Sequence, residues 1–351
     1  WGCTPIGKAL PGMRSDMKLG IVYDGQRNFL EELLADWQAR FDVSIYAFTP
    51  LSLPVASGRI NPLLHRRSLQ AFLNRNDVVF FEWAGENLVV ASRLPHKARI
   101  VARLHSWELF HHAKMVNWSG VDRIVLVSQA MRRRFNAMYP GNEARTAVLP
   151  AGKSLTRFAP AAHPFAGNLA MLGNILPIKR VYEAVLALAE LRRRGYLYTL
   201  HVAGKPDDEF NNQRYYASLL SAIEKLGLKE QVVFHGWVDA AAWLPEMDIF
   251  ISNSYWEGQQ NALIEAMASG CYCLSHFWDG AEEILPWEYL YTGETALVEK
   301  IIAYAEFSGD EKRQRQEHLR AIAAEKFDLS ESLRQYRALI ESTGSPAAGL
   351  S

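Results

Sequence analysis

Short apolar runs alternate with longer amphipathic stretches along this chain, in two series separated by a break, and few architectures other than paired parallel sheets accommodate that pattern. In the first series the runs 18–23, 43–48, 77–83, 98–104 and 123–128 have strand length, and stretches such as 28–40 between them carry a helical period. Strands that alternate with helices are joined by crossovers, so they lie parallel with helices on both faces. Residues 149–167 break the pattern with Pro150, Gly152, Pro160, Pro164 and Gly167, which is linker composition. The second series runs strand 169–173, helix 180–194, strand 198–203, helix 215–226, strands 231–234 and 248–252, helix 261–269 and strand 271–275. A last helical pattern over 329–342 places apolar residues at Leu333, Tyr336, Leu339 and Ile340.

At 351 residues the chain exceeds what one core organises. The fold class expected is α/β, with two doubly wound domains facing a central cleft. Their bounds are 17–150 and 168–328, with a linker over 151–167 and a C-terminal helix and tail over 329–351. Residues 1–16 hold Pro5, Gly7, Pro11 and Gly12 and too short an apolar core for a secretory signal; they read as a leader or disordered segment, with Met17 a candidate start. Ligands of such sheets sit beyond the carboxyl ends of the strands.

A composition of 49% hydrophobic and 22% charged residues excludes a disordered chain. No run of eighteen apolar residues occurs, which excludes a spanning helix. Cys271 and Cys273 form a C-x-C, not the C-x-x-C of redox or zinc sites, and read as strand residues of a cytoplasmic protein. Net charge is zero, yet residues 1–150 carry nineteen Lys plus Arg against twelve Asp plus Glu. The excess gathers at Arg66-Arg67, between Arg93 and Arg103, and at Arg132-Arg133-Arg134. No nucleic-acid module accompanies it, so no nucleic-acid partner is expected. Two readings stay open: peripheral contact with an anionic bilayer that carries a lipid-linked acceptor, or an ordinary solvated surface.

The most informative stretch is Asn253-Ser-Tyr-Trp-Glu257-Gly-Gln-Gln-Asn-Ala-Leu-Ile-Glu265-Ala-Met-Ala-Ser-Gly270. It leaves a buried-looking strand and enters an apolar helix through Gly258, Gln259, Gln260 and Asn261. Glu257 falls in the loop, beside backbone N–H groups that favour anions. Such a place can hold phosphate while a carboxylate grips sugar hydroxyls. This strand, the two acids eight apart and the continuation Glu-Ala-Met-Ala-Ser-Gly resemble the signature of retaining glycosyltransferases of family 4, which have the GT-B fold of two Rossmann-like domains.

The resemblance implies that Glu265 binds the ribose of a nucleotide diphosphate sugar, UDP- or GDP-linked, and that Glu257 meets the transferred sugar. It implies no required cofactor and no bound metal; Asp207-Asp208-Glu209 reads as a solvated loop. Ala170-Met-Leu-Gly173-Asn174-Ile-Leu-Pro177-Ile-Lys179-Arg180 is similar to the family's diphosphate loop, in which an arginine and, five residues later, a lysine face the phosphates. Lys179 matches the lysine; Asn174 stands in place of the arginine, and Arg180 or Lys205 are candidates to replace its charge. His201-Val-Ala-Gly204-Lys205 and Val233-Phe-His235-Gly236-Trp237 resemble strand ends that line the base, with Gly236 and Trp237 nearest it. In the first half, His105 matches the family's active-site histidine, and Asp24-Gly25-Gln26-Arg27-Asn28 resembles the glycine-bearing loop near the donor phosphates. Glu82-Trp83-Ala84-Gly85-Glu86-Asn87 should face the acceptor, a glycan, lipid-linked or small molecule. Gly152-Lys153-Ser154 lacks the preceding glycine of a phosphate loop and is set aside. Two other functions remain compatible: another GT-B enzyme such as a sugar-nucleotide epimerase, and a catalytically silent sugar-nucleotide-binding partner.

Overall fold

The computed structural model describes residues 15–24, 30–52, 57–161 and 163–344. The chain divides into two compact units, one built from the residues up to Leu149 together with those from Leu333 onward, the other from Pro150–Ser332.

In the first unit six strands, β1 (Lys18–Tyr23), β2 (Asp42–Ile45), β3 (Val78–Glu82), β4 (Arg99–Leu104), β5 (Arg123–Leu126) and β6 (Thr146–Val148), form one parallel sheet in the order β2-β1-β3-β4-β5-β6. The strand β3, Val-Val-Phe-Phe-Glu, is buried along its whole length, as a central strand covered on both faces must be. On one face Leu19, Ile21, Trp37, Phe80 and Val101 make a core that Tyr336 and Ile340 complete from the last helix, Leu329–Gly344. Trp37 meets Phe80 and Tyr336 edge-on, at 5.0 and 6.4 Å between ring centres.

The second unit has another parallel sheet, of β7 (Asn168–Leu172), β8 (Thr199–Ala203), β9 (Val232–Gly236), β10 (Ile249–Ser252), β11 (Tyr272–His276) and β12 (Leu290–Tyr291), in the order β12-β11-β10-β7-β8-β9. The order in which strands are added to each sheet reverses once: between β1 and β3 in the first, between β7 and β10 in the second. At such a reversal the loops leaving the two strands turn to opposite faces and open a crevice, where ligands of these sheets bind.

Some elements differ from the sequence expectation. The strand expected over 43–48 ends at Ile45. Helix Gly309–Phe327 escapes the apolar period because only Leu319, Ile322, Ala323 and Phe327 of its nineteen residues are buried; its sequence signal is the capping box of Ser308 and Glu311. The segment read as a linker has neither helix nor strand among its described residues, yet it is tied down: Lys153 bridges Asp328, donating its N–H to Phe327 O and accepting from Leu329 N. Among the described residues, no helix is long and apolar enough to cross a membrane.

Candidate functional site

In the second unit the crevice between β7 and β10 collects most of the residues singled out in sequence. Leaving β7, the chain passes Gly173 and Asn174, makes a short helical turn over Pro177–Lys179, and enters helix Val181–Arg193 through Arg180 in a left-handed conformation, φ 53°. Leaving β10, it passes Asn253, Ser254 and Glu257 before helix Asn261–Ala268. The Lys179 ammonium and the Glu257 carboxylate, 78 residues apart, are in direct contact across this crevice. Asn253 fastens the two loops by donating to Arg180 O at 2.8 Å, and itself accepts from the buried Tyr291 hydroxyl at 2.9 Å.

Close backbone approach shapes the floor. Gly204, at the end of β8, has φ 133°, and a Cβ there would lie 2.0 Å from Gly173 O, so only glycine fits. Gly204 N–H donates to Gly236 O, and Lys205 O accepts from Ile175 N, so the loops after β7, β8 and β9 are joined side by side. Lys205 is exposed, its chain passing 3.9 Å from where a Gly236 Cβ would be, with no carboxylate partner among the described residues. Trp237, next in sequence, is 79% exposed. Asn174 is exposed. Arg180 turns elsewhere, pairing with Glu183 at 3.4 Å and Glu294 at 3.3 Å.

Glu265, one turn into helix Asn261–Ala268, pairs with Lys153 at 2.9 Å. Gln259 is bound in both directions by Ala151, whose N–H it accepts at 2.9 Å and whose carbonyl it donates to at 2.8 Å. The buried Gln260 accepts from the Ser252 hydroxyl. These two side chains are taken up by the protein itself, which leaves the backbone N–H groups of the Gly258–Asn261 turn as its donors. Lys153 was the residue sequence reasoning passed over: its partner lies 112 positions away.

In the first unit the corresponding crevice lies between β1 and β3. Asp24, just past β1, bonds Asn87 through both carboxylate oxygens, and Asn87 Oδ1 meets His65 Nε2 at 2.7 Å. Gly85 admits the contact, since a Cβ there would lie 2.2 Å from Asp24 Oδ2. Burial raises the Asp24 carboxyl above its usual range. Gly25 lies outside the described residues.

One strand further, His105 follows β4 and its Nε2 lies 2.7 Å from Glu82 Oε1. Glu82 is fully buried, and its other oxygen takes both Nε and Nη2 of Arg103, at 2.8 and 2.7 Å. Burial opposes the Glu82 charge, but Arg103 and His105 outweigh it, and its pKa sits below the ordinary value. Arg103 Nη1 lies 3.1 Å from the Tyr336 hydroxyl. Trp83 adopts φ 75°, a left-handed conformation that a bulky side chain rarely takes, and its ring packs on His105 at 4.1 Å. Glu108, also buried, accepts from the N–H groups of Ala84 and His105, each at 3.3 Å, and burial raises its pKa. From sequence His105 is a site candidate, but Glu82 has no role beyond facing an acceptor, Arg103 counts only towards the basic excess and Tyr336 only towards an apolar helix face. Among the described residues no three His, Cys, Asp or Glu side chains group as a metal site.

Two units, each a doubly wound parallel sheet, define the GT-B architecture. The chain is similar to Anabaena Alr3699/HepE, solved in complex with UDP and glucose, with a TM-score of 0.78 at 20% identity over 93% of this chain and 100% of that one. It is also similar to a sucrose-phosphate synthase from Thermosynechococcus elongatus (TM-score 0.73, 14% identity, 93% and 98% covered) and to a glycosyltransferase from Rickettsia africae (TM-score 0.72, 15% identity, 93% and 98% covered). Residues 166–306, which hold the β7–β10 crevice, match the family described as glycosyl transferases group 1. No curated protein matches the chain in sequence.

Proposed function

We propose that the protein is a glycosyltransferase of the retaining family 4 type that moves a sugar from a nucleotide diphosphate sugar, with UDP-sugars the first donors to test. One observation carries the reading: Lys179 and Glu257 meet in the β7–β10 crevice, inside the segment that matches the group 1 family. A diphosphate there competes with Glu257 for the Lys179 ammonium. Its arrival frees the carboxylate for the hydroxyls of the transferred sugar, so a single exchange of partners seats both halves of the donor. Sugar transfer needs stabilisation of the departing diphosphate more than a strong base. Lys179, the Gly258–Asn261 backbone N–H groups and the positive end of helix Asn261–Ala268 supply it, with Lys205 the cation best placed to stand in for the arginine that Asn174 replaces. Glu265 takes the ribose, and Gly236 and Trp237 the base.

His105 acts on the transferred sugar or on the acceptor, a glycan, a lipid-linked molecule or a small molecule. The exposed Arg59, Arg66 and Arg67 of helix Ser57–Arg75, beside Leu63 at 62% exposure, support contact with an anionic bilayer face.

Calorimetric titration with UDP, GDP and ADP, followed by UDP-glucose turnover, tests the reading. The expected result is UDP binding with slow donor hydrolysis that a suitable acceptor accelerates. Binding without turnover would favour a silent partner protein, for which the missing arginine at Asn174 is the supporting observation; no nucleotide binding at all sinks both.

A further inference from the structure

We infer that Glu82 is a positioning residue for His105: its carboxylate dictates which imidazole nitrogen carries the ring proton, and Arg103 with Tyr336 keeps that carboxylate ionised. The catalytic half of this rests on the role given to His105 above; the structural half is independent of any nucleotide.

Glu82 closes strand β3 with no exposed surface, a costly place for a charge unless each lone pair has a donor. Its two oxygens divide the work. Oε2 receives two guanidinium N–H groups from Arg103, which does not give up its proton, so the carboxylate stays an acceptor. Oε1 is left for His105, and an acceptor facing Nε2 at 2.7 Å requires that nitrogen to be the donor. The neutral ring is thereby held as the Nε2–H tautomer. Trp83, turned into the left-handed region, packs its ring against the imidazole at 4.1 Å and opposes rotation out of this bond.

Arg103 is itself held from behind. Its guanidinium packs over the rings of Phe80 and Tyr336, at 5.8 and 5.3 Å, and meets the Tyr336 hydroxyl, which in turn donates to Leu149 O at 3.3 Å. From Tyr336 to His105 the chain runs from full burial to 14% side-chain exposure, so only its last member reaches the surface. Glu108 also comes close to His105, and its hydrogen bond there is from the backbone N–H.

The test is ¹⁵N NMR of the His105 ring in the full chain, its signal assigned by loss in His105→Asn, alongside UDP affinity and UDP-glucose turnover. Wild type should show the Nε2–H tautomer. In Glu82→Gln the amide oxygen is drawn to Arg103, which offers only N–H groups, and the amide NH₂ faces Nε2, so the Nε2–H tautomer is expected to give way to Nδ1–H, with kcat down at least about tenfold and UDP affinity within about twofold of wild type. Should Glu82→Gln fail to fold, the double variant Glu82→Gln/Arg103→Met removes both charges together and is likewise expected to lose the pure Nε2–H tautomer. A folded variant that keeps a pure Nε2–H tautomer overturns the inference, and so does loss of that tautomer with unchanged turnover. A wild type that neither binds UDP nor consumes UDP-glucose sinks the functional reading instead, and the tautomer alone then decides whether Glu82 sets His105.

Discussion

At the carboxyl edge of the first sheet the charges are sealed in; at that of the second they stand within reach of water. The side chains of Glu82 and Arg103 are 0% and 1% exposed, against 13% and 23% for Glu257 and Lys179 and 17% for both Glu265 and Lys153. A sealed pair cannot exchange partners, because any intermediate leaves a charge buried without a counter-charge. A partly exposed pair can, since water reaches each member while the other changes hands. The first edge is therefore built to hold a geometry, while the second can change partners, as the proposed donor site requires.

The largest effect should come from breaking the sealed pair. Arg103→Met leaves the buried Glu82 without its guanidinium, Oε2 unpaired and only Oε1 still bonded to His105, and urea unfolding should show a loss of about 3–5 kcal/mol. If the loss is below about 1 kcal/mol, the pair behaves like a surface bridge and the contrast collapses.

Acid should act on the first edge with two opposite signs. Because the folded-state pKa of Glu82 is depressed, its contribution to stability is present above the ordinary carboxyl value of 4.5 and fades as pH falls through the lower folded value. Asp24 and Glu108, whose pKa values are raised, contribute with the opposite sign: the folded state takes up their protons first, which favours folding as pH falls. Unfolding midpoints from pH 7 downward, compared between wild type and Glu108→Gln, separate the two. The variant should lose only the Glu108 share of the part that improves with acid, and keep the Glu82 part unchanged.

At the second edge the effects should fall on ligands before stability. Glu265→Ala should weaken UDP binding by about 1.5–3 kcal/mol, the value of hydrogen bonds to a charged group, in titration calorimetry. Unchanged affinity in a folded variant removes Glu265 from the ribose. The smallest expected change is the stability of Glu257→Gln, within about 1 kcal/mol of wild type, since its bridge to Lys179 is partly exposed. Its turnover of UDP-glucose should drop while UDP affinity stays level or rises, because Lys179 is then released to the phosphates.

Local pattern made part of this legible. Strands covered on both faces, such as Val78–Glu82, read as apolar runs, and the loop with Glu257 and Glu265 announces itself within a dozen residues because strand end, turn and helix start are contiguous. What could not be read is what only strand order brings together. Glu82 and Arg103 are 21 positions apart and adjacent because β3 pairs with β4; Arg103 and Tyr336 are 233 apart. Lys153 carried a misleading local cue, Gly152-Lys153-Ser154, and its partner Glu265 is visible only once the chain is folded. Arg180, by its place in the sequence one of two candidate phosphate cations with Lys205, pairs in the fold with Glu183 and Glu294.

The return of the last helix to the first unit has a consequence for the order in which the chain is made. Tyr336 bonds Leu149 across 187 positions, so the cavity around Trp37, Phe80 and Arg103 stays open while the whole Pro150–Ser332 segment leaves the ribosome. At typical synthesis rates that interval is about 10–40 s. The second unit is continuous and can close within it, whereas the first must wait with an unfinished core and the Glu82–Arg103 pair exposed to water. Protection by a chaperone, if the nascent chain needs it, is needed by the half that emerges first.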